Sequence, residues 1–389
     1  MSQLPVIIGM GGVNPAGRTS FHYGYQRMIF DALGESSQQN TLNSLGSLMG
    51  VSPSERDYIL QHTLIRKLEN AVFDGDNIPL HRRLTAESDP KHPLRMTVKR
   101  KHLPLNIPDN WTISDSPEEG LVTVEMKGSS EFLIPDTRVA SVKSCGQLPT
   151  GFSAESLYPS RHHPKALAMT VYGASDAIGS LGIDWELIRQ RLDPDQIGVY
   201  AGSGMSQLDT NGYGGMMQAR LLGKQVTPKS LPLGLPEMPA DFINAYVIGN
   251  VGHTGCNIGA CATFLYNLRQ GLEEIKSGRR RLVIVGNSET GLVPEVFEGY
   301  GNMGALATDA ELLELDKDKG LTEPDYQRAS RPFSYNAGFT LAESAQFFIL
   351  CDDELALELG ATIYGAVPEV HVHADGFKKS IPSPGVGTI

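Results

Sequence analysis

Several features that would assign this chain to other classes of protein are scarce or missing in it. Its four cysteines, Cys145, Cys256, Cys261 and Cys351, show no CxxC spacing and are too sparse for a disulfide framework. No stretch approaches the roughly 20 apolar residues of a membrane span. The N-terminal segment MSQLPVIIGMGG lacks the basic region of a signal peptide. These absences together predict a soluble protein of the reducing cytoplasm.

Positive charge and nucleotide-binding signatures are also lacking. The net charge of −11 argues against a chain that binds nucleic acid or anionic membranes as a whole. The segment GMGGVNPAG does not have GxGxxG spacing, because Asn14 stands where the third glycine should be, and AGSGM is not a GxSxG elbow. We therefore predict no dinucleotide cofactor. The length of 389 residues predicts about two or three structural units around a large core.

Apolar runs typical of buried strands alternate with amphipathic helices. The predicted strands are PVIIG, IGVYAGSG, RRLVIVGNSE, AESAQFFILCDD and TIYGAVPEV. A turn at GGVNPAG and a helix from about Ser20 should follow the first strand. One helical face is predicted for Leu167, Val171, Ala174, Ile178 and Leu181, and ELALELGA is predicted to be a short helix. This alternation predicts a layered α/β fold.

The region from about 34 to 149 has a different character. It is polar and rich in proline, with hairpin-like pieces such as LRMTVKRKH and LVTVEMKG, and we interpret residues 37–146 as an insertion or subdomain. Residues 81–102 hold seven Lys or Arg residues, and Arg279, Arg280 and Arg281 form a second basic patch. Either patch could attract an acidic partner, or each could simply be a solvated face.

Cys261 lies where a run of small residues meets a helix. Leu265, Leu268, Leu272 and Ile275 share one face of that helix, and Gly278 is a plausible C-terminal stop. Unpaired N–H groups and the helix dipole at such a start favour a thiolate and can hold an oxyanion. That placement suits covalent acyl transfer. A cysteine beside Ala and Gly is also commonly a small core residue, the interpretation that we give to the other three cysteines.

The segment GACATFLYNLRQGLEEIKSGRRRLVIVGNSE resembles the nucleophile segment of the β-ketoacyl-acyl-carrier-protein synthases, the condensing enzymes of fatty acid synthesis. Further segments are similar to that family in the same order: PVIIGMGGVNPAG, the helix before IGVYAGSG, MGALATD, RPFSYNAGFTLAESAQFFIL and GATIYGAVPEV. The long insertion indicates a divergent bacterial branch, one that could prime chain synthesis.

The resemblance implies a thiolase-like layered α/β/α fold without metal or cofactor, paired as a homodimer. Residues 1–357 would form its N-terminal half, and 358–389 the opening strand and loop of the C-terminal half. Cys261 would accept an acyl group from acyl-coenzyme A or an acyl carrier protein, and decarboxylation of malonyl-carrier protein would supply the attacking carbanion. Tyr300 matches an aromatic residue that lines the acyl pocket, and Phe339 matches a phenylalanine near the thiol, so both would bind substrate; for each, a place in the core is the alternative.

Some family features are missing or altered in this sequence. The two histidine segments that support decarboxylation would lie beyond Ile389, so we expect the C-terminal half to be absent, and a non-catalytic synthase-like subunit is the alternative function. His253, in VGHTGCNIGA, precedes the cysteine and is interpreted as a loop or structural residue. His371 and His373 could share one face of a strand, but no third metal ligand is evident. Ala337 and the AESA segment depart locally from the family pattern.

Overall fold

The structure, a computed structural model, describes residues 3–89 and 91–374. The chain divides into a first unit, made of residues up to 73 and from 141 onward, and a second unit, Asp74–Ala140. The second unit lies inside the predicted insertion of about 37–146, whereas residues 37–73 belong to the first unit. The insertion and the division at residue 357 stay predictions. The predicted terminal loop, from residue 378, lies outside the described residues.

Strands and helices are numbered along the chain. The strands are β1 (Pro5–Asn14), β2 (Gly17–Arg18), β3 (Ile65–Lys67), β4 (Ile78–Ser88), β5 (Leu94–Lys99), β6 (Trp111–Asp115), β7 (Leu121–Met126), β8 (Gly128–Arg138), β9 (Ser144–Gly146), β10 (Ile197–Gly202), β11 (His253–Gly255), β12 (Leu282–Glu289), β13 (Ser344–Asp352) and β14 (Gly365–Ala366). The helices are α1 (Tyr23–Met28), α2 (Glu35–Met49), α3 (Arg56–Gln61), α4 (Lys165–Gly179), α5 (Trp185–Arg191), α6 (Tyr213–Gln218), α7 (Ser230–Gly234), α8 (Met238–Phe242), α9 (Thr263–Lys276), α10 (Pro294–Asn302), α11 (Asp309–Leu315) and α12 (Asp353–Leu359).

The main sheet of the first unit has the strand order β11-β10-β12-β13-β1-β14, and β2 pairs with β1. β10 runs parallel to both β11 and β12, whereas β13 is antiparallel to its neighbours β12 and β1. Because β10 and β12 are parallel, their C-terminal ends meet at the same edge of the sheet. Each continues there into a loop, and those two loops position the candidate site.

Helices cover the two faces of this sheet. Val199 and Ile284 belong to the apolar cluster that includes Met169 and Ala174 of α4. Their strand neighbours, such as Tyr200 and Val285, belong to a separate cluster with residues of α9. Side chains of a strand alternate between faces, so the sheet is buried on both sides. The layered α/β fold predicted from the sequence is confirmed.

Helix α4 lies unusually close to β1. A Cβ atom on Gly11 would lie 2.4 Å from the backbone nitrogen of Ala177, so only glycine allows this approach. The buried carboxylate of Asp176 bridges the same two elements. It accepts hydrogen bonds from the backbone N–H groups of Gly12 (3.0 Å) and Ser20 (3.1 Å), and it pairs with Arg18 (2.7 Å). This network ties the segment after β1 to the core helix.

The second unit consists of a long two-stranded ribbon, β4 with β8, and a three-stranded sheet in the order β5-β7-β6. Val122, Val124 and Met126 of the central strand β7 form its small core. Much of the basic run is paired with carboxylates of the same unit: Arg82 with Asp136, Arg83 with Glu131, Arg95 with Glu125 and Arg100 with Asp115. These pairs reduce the positive charge that the run offers to an acidic partner.

The sequence predicted the wrong boundaries for two secondary-structure elements. GGVNPAG was expected to be a turn, but β1 continues through Asn14, because its residues up to Val13 pair with β13. TIYGAVPEV was expected to be a full strand, but β14 covers only Gly365–Ala366, where two residues pair with β1. Across residues 3–89 and 91–374, no helix combines the length and the apolar character needed to cross a membrane.

The Asp176 network predicts that a nearly isosteric substitution of this residue strongly lowers the stability of the fold. The native carboxylate accepts hydrogen bonds from N–H and O–H donors at both of its oxygens. In Asp176→Asn, the NH₂ group of the amide would face some of these donors in either orientation. We expect the free energy of unfolding in urea to fall by about 2–4 kcal/mol. Ser175→Ala, an exposed neighbour on α4, should change it by no more than about 0.5 kcal/mol. Equal effects of the two substitutions would contradict the assignment.

Candidate acyl-transfer site around Cys261

Cys261 lies on a 3₁₀ turn, Ala260–Ala262, that leads directly into α9. The residue is exposed, which excludes the alternative of a small core residue. Ala262 is the N-cap of α9 and has no side-chain oxygen to accept the first N–H groups of the helix. Those N–H groups and the helix dipole therefore act on the space beside the thiol. This is the environment that the sequence predicted.

The backbone just before the thiol is strained. Ala260 has a φ of 49°, in the left-handed region that residues other than glycine rarely adopt. The buried Thr263 holds this conformation, since its hydroxyl donates to the Ala260 carbonyl (2.7 Å) and accepts from the backbone N–H of Gly259 (3.1 Å). One threonine side chain thus closes the turn that presents Cys261.

The loop after β10 packs against this turn. A Cβ atom on Gly204 would lie 2.6 Å from the Ala260 carbonyl oxygen, so the two backbones are in direct contact. Glu289, the last residue of β12, accepts hydrogen bonds from the backbone N–H of Gly204 and from the Ser203 hydroxyl (3.0 Å). The parallel ends of β10 and β12 therefore meet at the Cys261 turn.

Glu289 and Tyr300, two titratable groups near the Cys261 turn, have shifted pKa values. Burial raises the pKa of the Glu289 carboxyl above its usual value of 4.5, although donors from Gly204, Asn287 and Ser203 oppose the shift. Burial also raises the pKa of Tyr300, and the negative charges of Cys261 and Glu289 add to this effect. Tyr300 therefore lies close enough to Cys261 and to Glu289 to interact electrostatically with each of them.

The two predicted pocket residues have different surroundings. Tyr300, on α10, is partly buried and packs against an apolar cluster that includes Leu292 and Phe297. Phe339 is 68% exposed, which excludes a place in the core. Its backbone N–H donates to the carbonyl of Ala305 (2.7 Å), in the loop after α10. The structure thus brings Tyr300 beside Cys261 and ties Phe339 to the loop that follows Tyr300; their contact with an acyl chain stays a prediction.

The other three cysteines have different environments. Cys145 and Cys351 are fully buried, and burial raises the pKa of each thiol to about 12. Burial raises the pKa of the partly exposed Cys256 to about 11. These three groups are thiols at neutral pH, and thiols are poor nucleophiles. The interpretation of Cys145 and Cys351 as core residues is confirmed.

The histidines singled out in the sequence have local partners. The Nδ1 atom of His253, on β11, lies 3.1 Å from the Tyr200 hydroxyl. The rings of His371 and His373 stack with centroids 6.1 Å apart, and His371 contacts Glu369 (2.9 Å). In the described part of the chain, no group of three His, Cys, Asp or Glu side chains is arranged to hold a metal ion.

The basic triplet after α9 is occupied by ion pairs. Arg279 and Arg280 both lie near Glu274, at 2.9 and 3.7 Å, and Arg281 pairs with the buried Asp352 (2.8 Å). These contacts join the end of α9 to the sheet. They favour a structural role for the triplet over a docking role.

Sequence reasoning missed Glu289, Gly204 and Thr263. A signal was available for Glu289, since it is the one carboxylate in the apolar run LVIVGNSE and stands where the strand ends. Thr263 comes two residues after Cys261, at the position from which a hydroxyl can bond back to the preceding turn. Nothing local marked Gly204, because its role depends on contact with a segment 56 residues away.

Comparisons with known proteins agree with this geometry. Residues 169–356 match the family described as Beta-ketoacyl synthase, N-terminal domain. Beta-ketoacyl-acyl-carrier-protein synthase FabY of Pseudomonas aeruginosa is 49% identical over 408 residues, covering 100% of this chain and 64% of that protein. Fatty acid synthase subunit alpha of Saccharomyces cerevisiae is 27% identical over 343 residues, covering 85% of this chain and 18% of that protein.

A solved structure extends the similarity to the fold. The crystal structure of the noncanonical ketosynthase FabY from P. aeruginosa matches with a TM-score of 0.94 and 48% sequence identity, over 99% of this chain and 63% of that chain. This chain matches the bacterial relative over its own full length. It spans slightly less than two thirds of the length of that relative.

The raised pKa of Glu289 predicts how stability depends on pH. Because the fold favours the protonated carboxyl, Glu289 contributes its full stability below pH 4.5, and this contribution is lost as the pH rises through the raised pKa. We therefore expect the unfolding free energy of the native chain, relative to Glu289→Gln, to decrease as the pH rises. Urea titrations at several pH values measure this difference.

Glu311 provides a control of opposite sign. The backbone N–H and hydroxyl of Thr308 lower the pKa of Glu311 in the capping box of α11. The native chain should therefore lose stability relative to Glu311→Gln as the pH falls through the usual value of 4.5 toward the lowered pKa. If both stability differences changed with pH in the same direction, Glu289 would not be buried as described here.

Proposed function

Because the chain belongs to the β-ketoacyl synthase family, we propose that it accepts an acyl group from a thioester on Cys261 and condenses it with malonyl-carrier protein. The observation that carries this proposal is the exposed thiol on a strained turn before an N-terminus that no side chain caps. A structural cysteine needs none of these features, whereas an acyl acceptor needs an accessible thiol and free N–H donors for the oxyanion.

The first step of the proposed reaction is acyl transfer. The Cys261 sulfur attacks the carbonyl carbon of the thioester, the bond from that carbon to the original sulfur breaks, and the proton of Cys261 goes to the released thiol. The N–H groups at the start of α9 would stabilise the oxyanion that forms during the attack. Tyr300 and Phe339 would contact the acyl chain.

The second step is the condensation. Loss of CO₂ from the malonyl thioester leaves a carbanion, which attacks the acyl carbon on Cys261. The family resemblance assigns support of this decarboxylation to two histidine segments that this sequence does not contain. The bond from that carbon to the Cys261 sulfur breaks, so that a β-ketoacyl thioester and the free thiolate result. The N–H groups that serve the first step would stabilise this second oxyanion as well.

We further propose acyl carrier protein or acyl-coenzyme A as the acyl donor, and a homodimer in the cytoplasm. A homodimer is supported by exposed apolar side chains in the segment between β10 and β11, namely Met217, Leu221, Leu222 and Leu231, and by Val251 just before β11. A cytoplasmic location is supported by the four free thiols.

An acyl adduct tests the proposed function. After incubation with acetyl- or octanoyl-coenzyme A, intact-mass analysis should show one acyl group on the native chain and none on Cys261→Ala. Cys256→Ala, which removes the nearest other thiol in the sequence, should still carry the adduct. An adduct that persists in Cys261→Ala, or a native chain that gains none, would favour the non-catalytic subunit.

The exposed aromatic residues allow a matched test of the acyl pocket. Phe339→Ala should slow octanoyl transfer about three- to tenfold, because it removes about 1 kcal/mol of apolar contact with the chain. Phe333→Ala removes an equally large, fully exposed ring from the same segment and should leave the rate unchanged. Equal rates for the two variants would remove Phe339 from the pocket.

A further inference from the structure

The carboxylate of Glu289 binds the loop that contacts the Cys261 turn, yet neither step of the proposed reaction uses it. We infer that Glu289 is a positioning residue for Cys261, which it holds in place through the backbone of the loop after β10. This inference rests on the proposed function. It assigns a role in the acyl-transfer site to a residue whose side chain need not touch the substrate.

Glu289 accepts hydrogen bonds from several residues of the loop that follows β10. One carboxylate oxygen accepts from the backbone N–H of Gly204 and from the Asn287 amide (3.0 Å), and the other accepts from the Ser203 hydroxyl (3.0 Å). The backbone N–H of Met205 is a further donor. A single side chain thus fixes three consecutive residues of the loop.

That loop in turn confines the residue before the thiol. The Cα atom of Gly204 faces the Ala260 carbonyl so closely that a Cβ atom would lie 2.6 Å from its oxygen. The left-handed backbone of Ala260 costs on the order of 1–3 kcal/mol and persists only where its surroundings enforce it. Thr263 donates a hydrogen bond to this carbonyl, and Gly204 packs closely against both the carbonyl and the Thr263 hydroxyl.

The contacts of Glu289 favour positioning over proton transfer. Both of its oxygens already accept hydrogen bonds from the loop or from Asn287, so removal of a proton from the thiol would compete with these donors. Without the carboxylate, the loop could move away and let Ala260 relax. Cys261 would then shift relative to the N–H groups of α9, and the oxyanion that forms there would be less stable.

Four variants of the full chain test this inference. In Glu289→Ala we expect the maximal rate of acyl transfer to Cys261 to fall at least tenfold, with the half-saturating concentration of acyl-coenzyme A changed less than threefold. Gly204→Ala should cause a similar loss, since the new methyl group pushes on the same carbonyl. Glu289→Gln should stay within about threefold of the native rate, because its amide oxygen can still accept from Gly204. The Ser203 hydroxyl can donate to the Ser206 carbonyl instead (3.2 Å) and accept from the new NH₂ group. Glu295→Ala, an exposed carboxylate on α10, is the control and should be unaffected.

A second readout separates this inference from the proposed function. Alkylation of Cys261 by iodoacetamide, followed by peptide mass analysis across pH, reports on the thiol without any acyl donor. We expect the pH profile of Glu289→Ala and of Gly204→Ala to shift to higher pH, while Glu289→Gln keeps the native profile. A native chain that is alkylated but never acylated would refute the proposed function, and the comparison of profiles would still decide the role of Glu289.

Three outcomes would overturn the inference. The first is native acylation and alkylation in Glu289→Ala. The second is a Glu289→Gln variant as slow as Glu289→Ala, which would point to the charge and not to the loop. The third is native behaviour of Gly204→Ala. If Glu289→Ala does not fold, the Gln and Gly204 variants still carry the test.

Discussion

The left-handed backbone of Ala260 is the constraint on which the site depends. It turns the chain so that Cys261 is exposed at the start of α9, and it is held by the Thr263 hydroxyl and by the close approach of Gly204. The thiol and the helix N–H groups can act on the same carbonyl group only while this turn persists. Strain at one residue is therefore tied directly to the proposed chemistry.

The sheet supplies the surroundings that enforce this strain. Parallel strands β10 and β12 end at the same edge, so the loop after β10 and Glu289 reach the Cys261 turn together. Helices α4 and α9 bury the two faces of the sheet. A rigid scaffold of this kind can hold a site that local preferences alone would not form.

The four cysteines show how the environment divides residues of one type into different roles. Burial raises the pKa of Cys145, Cys256 and Cys351, which keeps these groups as thiols. Cys261 is exposed at a helix start, where N–H groups are available to an anion. The residue types are identical, so the difference arises from the elements that surround each one.

The local sequence pattern was sufficient to predict strands β10, β12 and β13, helices α4 and α9, and the position of Cys261 at a helix start. Hydrophobic periodicity and helix starts can be predicted in this way because they are properties of neighbouring residues. It failed for the end of β1, where pairing with β13 overrode a glycine-rich turn signal, and for β14, where only two residues find a partner. The contacts of Glu289, Gly204 and Ala260 join segments that are far apart in the chain. Only the tertiary structure decided them, since no local preference encodes which loops meet at the edge of a sheet.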